Sequence, residues 1–583
     1  MPAAPPGLTF SLQDIPFSYS GSWFGFSPVI AEKTYADDVH LVSHQTGMHP
    51  VLRLTPVGAD GRRLATEIVA APAMLTWSTS MGRIRLAYDS ADTVRITGHG
   101  LGLHIGAANR TLTPFSGTYF FTDPVDRAQV YTVYQTGRRY RVTVLTGHTA
   151  AIHGAQALGT CERGMTITAD DGQPWEIAVE EYETARTPYR AERTFGQVHK
   201  AVQAAFDAFV DTVAPWRNER TPAAELAAYV LWSATVRPAG FLVRPSVLMS
   251  KHWMNKVWSW DHCFNALALA PGQPDLAWDQ FQIPFDHQEP CGALPDSVTH
   301  SEVLYNFVKP PIHGWALRIL RRRLRLDRAE LRQAYNRLGA WTRFWLDHRR
   351  TPGSELAHYH HGNDSGWDNA TLFDAHRVVE SADLAAFLIV QLGELADLAD
   401  DLGLTDESAA WRRTATAMHR DMIGHLWTGQ RFRTRAPLTH ETGTSDSLLN
   451  LIPIILGADL DRGIAQRLAE RISAHLTPHG LATEQPGSPY YAADGYWRGP
   501  VWAPATILIE DGLRRAGHSV LAGDVSRRFR RLCEASGFAE NFDAQTGSGL
   551  RDRAYTWTAS AYLILAGAYR AHRGQAEVAD AVS

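Results

Sequence analysis

At 583 residues, with 45% hydrophobic and 20% charged side chains, the chain is too long for one ordinary domain and has the composition of a globular protein. A formal charge of -5 and a pI near 6.6 leave no basic footprint for nucleic acid, and no apolar run is long enough to span a membrane. The opening Met1-Pro2-Ala3-Ala4-Pro5-Pro6 lacks the charged and apolar regions of a signal peptide, so a cytoplasmic location is expected.

Residues 1–192 read as strands. Hydrophobic residues alternate with polar ones in Gly82-Arg83-Ile84-Arg85-Leu86-Ala87-Tyr88 and Thr93-Val94-Arg95-Ile96-Thr97. The pattern returns in Val130-Tyr131-Thr132-Val133-Tyr134 and Tyr140-Arg141-Val142-Thr143-Val144. Turns separate the runs at Asp60-Gly61, Gly98-His99-Gly100 and Asp171-Gly172. Short strands at such spacing predict an antiparallel β-sandwich. The four cysteines, Cys161, Cys263, Cys291 and Cys533, are scattered through the chain without a Cys-x-x-Cys pair, so no metal or redox role is expected of them.

From 193 to 583 the period becomes helical. Amphipathic stretches cover 198–213, 223–234, 312–323, 328–348, 382–402 and 408–426, then 445–456, 461–476, 501–516, 519–536 and 557–571. Shorter candidates lie at 261–270 and 276–282. A number close to twelve fits six helical hairpins closed into an (α/α)6 barrel, and no repeated unit of the kind that marks a solenoid is visible.

Of the tryptophans, only Trp23, Trp77 and Trp175 lie in the strand-rich part. Trp258, Trp260, Trp367, Trp497, Trp502 and Trp557 sit in or beside apparent loops, near Asp, Arg or Gly. Flat aromatic faces suit the C–H side of a sugar ring, and Asp, Asn and Arg suit its hydroxyls. Asp261, following Trp260, reads either as a helix N-cap or as a hydroxyl partner. Arg498, following Trp497, reads as a polar anchor or as the partner of a loop carboxylate. Lys309 precedes Pro310-Pro311 at a third helix start. Two Gly-rich loops each carry a carboxylate: Gly366-Trp367-Asp368-Asn369, and Glu540-Asn541-Phe542-Asp543-Ala544-Gln545-Thr546-Gly547. Glycoside hydrolysis needs such a pair, an acid for the leaving oxygen and a carboxylate on the other face of the sugar. Asp364, Asp374 and Glu380 compete with Asp368, and Asp543 and Glu484 compete with Glu540.

Four motifs in order, Trp258-Ser259-Trp260-Asp261, Ser365-Gly366-Trp367-Asp368-Asn369, Gly495-Tyr496-Trp497-Arg498-Gly499-Pro500 and Glu540 through Trp557-Thr558-Ala559, resemble glycoside hydrolase family 63, with trehalase as a more distant relative. The resemblance implies a β-sandwich with an (α/α)6 barrel, inversion at an α-glucosidic bond, and no cofactor or catalytic metal. It implies Asp368 as general acid and Glu540 as general base. Trp260, Asp261, Trp497 and Arg498 match positions lining the sugar pocket, and Trp367, Asn369, Lys309, Trp502 and Trp557 complete the expected substrate-binding set. The sequence departs from the family where Ala370-Thr371-Leu372 replaces a frequent Ser-Pro-Arg and where Ala544 replaces a proline, both on the leaving-group side.

The expected activity is that of an inverting, exo-acting α-glucosidase releasing terminal glucose from small α-glucosides or oligosaccharides. The alternatives are a glucosylglycerate- or mannosylglycerate-type hydrolase, a glycoside phosphorylase of similar architecture, and a non-catalytic carbohydrate-binding protein. The expected partner is a small carbohydrate, with no nucleic acid and no membrane; homo-oligomerisation is left open.

Overall fold

The computed structural model describes residues 7–169 and 172–582, with side chains to Tyr569. The opening 1–6 and Asp171 of the expected 171–172 turn lie outside the described residues. The chain forms two compact units. One takes in Met1–Thr212, Ala228–Asn255 and Thr299–Glu302, and the other Val213–Ala227, Lys256–Val298 and Val303–Ser583.

In the first unit the alternating sequences form two antiparallel sheets. One has the spatial order Phe17–Ser18, Phe24–Ala31, Thr34–Ser43, His49–Val57, Gly102–Ala107, Gly164–Thr168, His148–His153. The other runs Thr118–Thr122, Gln129–Val133, Arg138–Thr146, Trp175–Tyr182, Thr93–His99, Arg83–Ser90, Met74–Ser78, Glu67–Ala71. The period of two works as expected: Ile84 and Leu86 are buried while Arg83 is exposed. Face to face, the sheets make a β-sandwich. Tyr88, packed among Phe17, Phe24 and Phe26, donates its hydroxyl to the Phe24 carbonyl at 3.0 Å, and Tyr131 donates to Ile105 at 2.6 Å. Each phenol from one sheet thus satisfies a backbone group of the other without leaving the core. Trp23 is fully buried and donates its indole N–H to the Arg237 carbonyl at 3.0 Å.

The second unit is an (α/α)6 barrel. Its helices alternate between two kinds of sequence. Asp261–Leu269, His313–Leu320, Ala382–Leu402, Ala503–Arg515 and the described side chains of Thr556–Val582 are apolar almost all round and largely buried. Together with the 3₁₀ segment Leu448–Asp459 they form the inner ring, in which each touches the next and the last returns to the first. Pro274–Gln282, Arg328–His348, Thr405–Leu426, Arg462–Ala474 and Ser519–Ser536 each follow an inner element and bury one stripe only. Their ends obey local chemistry. Asp327 and Glu330 close a capping box at the start of Arg328–His348, and Gly403, at φ 77°, ends Ala382–Leu402.

One inner element departs from its sequence pattern. An α-helix is predicted over 445–456, but the chain forms 3₁₀ turns over Leu448–Asp459, broken at Gly457 with φ 62°. Pro453 inside the run has no N–H to give and its ring obstructs the α-helical carbonyl, so the tighter turn wins despite a strongly apolar sequence. No helix among the described residues is long and apolar enough to cross a membrane.

Candidate active site

The residues expected at the site lie in the barrel unit, on loops that lead into inner helices or in the first turns of those helices. Asp261 is the first residue of Asp261–Leu269, and Trp502 immediately precedes Ala503–Arg515. Asp368 lies on the loop before Ala382–Leu402, and Glu540 on the loop before Thr556–Val582.

Aromatic stacking ties the four motifs together. Trp367 stacks on Trp497 at 4.6 Å between centroids, and Trp497 on Trp502 at 3.9 Å. Trp502 meets Trp557 edge to face at 5.6 Å, and Trp557 meets Trp260 the same way at 5.8 Å. All five are almost fully buried, so they form a continuous wall whose packing fixes the loops. Gly366 is needed here for two reasons. Its φ is 73°, and a Cβ would stand 2.6 Å from the Trp260 ring. Hydrogen bonds complete the clasp. Asn369 accepts from the Trp497 N–H at 3.0 Å through its side-chain oxygen, and its amide donates to the Gly495 carbonyl at 3.0 Å. Val501 and Phe542 exchange backbone hydrogen bonds at 2.7 and 3.0 Å, joining the Arg498 loop to the Glu540 loop.

The competing carboxylates separate by what they touch. Asp364 receives Arg349 at 2.8 Å and the Val308 and His360 N–H groups. Glu380 holds Arg435 at 2.5 Å. Asp374 holds Arg498 at 2.5 Å. Glu484 accepts from Thr371 at 2.7 Å and Ser488 at 2.6 Å. Asp543 caps its own turn through the Gln545 and Thr546 N–H groups. Asp368, Asp261 and Glu540 have no such cation against them. Glu540 is buried at 3% exposure, and burial together with the Asp552 charge pushes its pKa up to about 8. Burial also pushes Asp261 up to about 8 and raises Asp368. The three are coupled by charge: that of Asp368 raises both Glu540 and Asp261.

Asp261 is not an N-cap, since the helix's N-cap position is Trp260 and no side chain caps it. Its Oδ2 is buried with no hydrogen-bond partner. Lys309 sits among these acids, 3.0 Å from Asp296 and donating to the Asn363 carbonyl at 3.0 Å, and its charge pulls Asp261 and Asp368 back toward ionisation. Arg498 is committed to the Asp374 carboxylate and, at 2.7 Å, to the Asn369 carbonyl. The structure therefore gives it the paired-arginine role.

Sequence reasoning missed Tyr496 and Arg551. Tyr496 has φ 64°, a conformation a bulky residue rarely adopts, and its hydroxyl hydrogen-bonds Glu540. The Arg551 guanidinium lies 4.9 Å above the Tyr496 ring and favours the charged form of Glu540. The sequence signal was weak: Tyr496 reads as one more aromatic beside Trp497, and positive φ is not visible in a tyrosine. Since Arg551 favours the Glu540 carboxylate, Arg551→Met should raise the Glu540 pKa further. If Glu540 must be ionised to work, the limb of kcat/KM that falls toward acid pH should move to higher pH in this variant. A pH–rate profile of both proteins measures the shift, and an unmoved limb would detach Arg551 from the base.

Comparison with known proteins shows the family and the fold. Residues 254–558 match the family model of the mannosylglycerate hydrolase MGH1-like glycoside hydrolase domain. The chain is 27% identical over 402 residues to a mannosylglycerate hydrolase of Rubrobacter radiotolerans, an alignment covering 52% of this chain and 89% of that protein. Its fold resembles that of a family 63 mannosylglycerate hydrolase from Thermus thermophilus solved with glucose, at TM-score 0.50 and 21% identity, covering 58% of this chain and 98% of the other. It also resembles a bacterial glucoamylase complexed with acarbose, at TM-score 0.62 and 12% identity, covering 98% and 96%.

Proposed function

We propose, from the premise that the chain belongs to the MGH1-like glycoside hydrolases of family 63, that it hydrolyses a terminal α-hexoside with inversion, Asp368 acting as acid and Glu540 as base. One observation carries the assignment. The charge of Asp368 reaches Glu540 and neither has an arginine hydrogen-bonded to it, whereas Asp364, Glu380 and Asp374 each hold an arginine and Asp543 caps its own turn.

The electrostatics suit the division of labour. Burial favours the protonated form of Asp368, which is what a general acid needs. While Asp368 holds its proton, the like charge that raises Glu540 is absent, and Tyr496 and Arg551 then favour the Glu540 carboxylate. That carboxylate takes a proton from water as the water attacks the anomeric carbon, and Asp368 gives its proton to the departing oxygen. The unpartnered Asp261 oxygen is suited to a hydroxyl of the bound ring.

Two substrate readings share this chemistry. The sequence points to an α-glucoside. The relatives' names support a mannosylglycerate-type substrate equally well. The mechanism is tested by the product anomer. NMR of the first turnovers on an α-hexoside should show the β-sugar before mutarotation, and initial release of the α-anomer would mean retention and overturn these roles. A crystal structure should also show the two carboxyl groups roughly 6.5–9.5 Å apart, the spacing that leaves room for a water.

A further inference from the structure

Lys309 is buried at 6% exposure, although a lysine side chain is long enough to carry its charge to water. Two partners hold it inside. Its ammonium lies 3.0 Å from the Asp296 carboxylate, itself buried, and donates to the Asn363 carbonyl at 3.0 Å. Each partner belongs to a motif of the site. Asp296 precedes the strand Ser297–Val298, which pairs with Val257–Trp258, and its carbonyl accepts from the Ser259 N–H at 3.2 Å. Asn363 lies in the 3₁₀ turn Gly362–Ser365, which leads to Asp368. That turn packs on the acid's own backbone: a Cβ on Gly362 would stand 2.1 Å from the Asp368 carbonyl oxygen. The ion pair is thus tied to backbone on both sides and cannot swing away from the acid as a surface pair would.

A buried ion pair is poor evidence for stability, since desolvation offsets the attraction between its charges. Its place beside an acid gives it another use. Lys309 favours the ionised form of Asp368 and Asp296 opposes it, and both act with the same signs on Asp261. The other groups coupled to Asp368 by charge are His361, which acts with Lys309, and Glu540, Asp261 and Tyr496. A general acid works best with a pKa near the working pH. Above that it gives its proton reluctantly, and below it the proton is already lost. Burial alone drives Asp368 the first way, and an unpaired lysine would drive it the second. A lysine partnered by an aspartate stands between these extremes.

We propose that Lys309 and Asp296 are positioning residues of the reaction, whose ion pair sets the alkaline limit of glycoside hydrolysis through Asp368 without touching the sugar. The inference rests on the reading of Asp368 as the acid. It gives Lys309, expected from the sequence to bind substrate, a role on the acid instead.

The experiment records kcat/KM against pH for wild type, Lys309→Met, Asp296→Asn and the double variant, on an alkyl α-hexoside and on a glycosyl fluoride. On the alkyl glycoside the alkaline limb marks loss of the acid's proton. It should move to higher pH by about one unit in Lys309→Met, and to lower pH by about as much in Asp296→Asn, where the lysine stands unopposed. The double variant leaves neither charge without its partner, and its limb should lie close to that of wild type. Lost packing does not displace a limb in opposite directions. On the fluoride, which departs without a proton, none of the four proteins should show this limb. Uniform losses with the limb unmoved would make the pair structural, and a raised KM with the limb unmoved would make Lys309 a sugar ligand. Either result overturns the proposal and leaves the reading of Asp368 standing. If wild type shows the same alkaline limb on both substrates, that reading falls instead. Carbon-13 NMR titration of the Asp368 carboxyl, its signal identified by its loss in Asp368→Asn, then tests the pair alone. A midpoint that rises in Lys309→Met and falls in Asp296→Asn keeps its hold on Asp368, and an unmoved midpoint removes it.

Discussion

Glu540→Gln is expected to lose at least about 10²–10⁴-fold in kcat on every glycoside, including glycosyl fluorides, while remaining folded. The amide has the volume of the acid but cannot take a proton from water, and a better leaving group does not supply the missing base. The fold should tolerate the change for a reason that can be signed. The side chain is buried, and its pKa rises from an ordinary 4.5 to about 8. Between those values the folded protein keeps a proton that the unfolded chain has lost, so stability falls as pH rises through that window. Glutamine never ionises and avoids that loss. The Tm of the variant at pH 8 should therefore be no lower than that of wild type, which separates a chemical defect from unfolding. Full activity in a folded Glu540→Gln variant would remove Glu540 from the reaction.

The aromatic wall explains why so much of the site could be read from sequence. Trp260, Trp367, Trp497 and Trp502 lie outside helices beside Gly, Asp or Arg, where a tryptophan has no helical stripe to join, and with Trp557, in the first turn of its helix, they pack on one another instead. The barrel was legible because close to twelve helical stretches follow one another without a repeated sequence unit. Ala382–Leu402 and Arg328–His348 match their predicted spans. Leu448–Asp459 does not, because hydrophobic periodicity does not register what one proline does to backbone hydrogen bonding. Arg498 shows the limit at the level of a side chain. Its neighbours in sequence suggest a sugar ligand, but its partner Asp374 is supplied by a loop remote in sequence, and only the fold brings the two together. Asp296, which holds Lys309, and Tyr496, which holds Glu540, were invisible for the same reason: what they touch is decided by tertiary structure.

Asp368→Asn should fail differently from Glu540→Gln, and the difference identifies the acid. On an alkyl or sugar glycoside the departing oxygen needs a proton, and the variant should lose about 10²–10⁴-fold. On a glycosyl fluoride the leaving group departs without one, so most of the wild-type rate should remain. The pH profile carries an independent check. While Asp368 holds its proton it adds no charge to raise Glu540, so in Asp368→Asn the acidic limb of the fluoride reaction, set by Glu540, should stay where it is in wild type. Asp374→Asn is the control from the same loop. It releases Arg498 rather than a proton, and its effect should be the same on both classes of substrate. Equal losses on fluoride and alkyl glycosides in Asp368→Asn would mean that this carboxyl binds or positions the sugar, and the search for the acid would pass to Asp261, whose carboxyl is as strongly buried and stands within reach of the same charges.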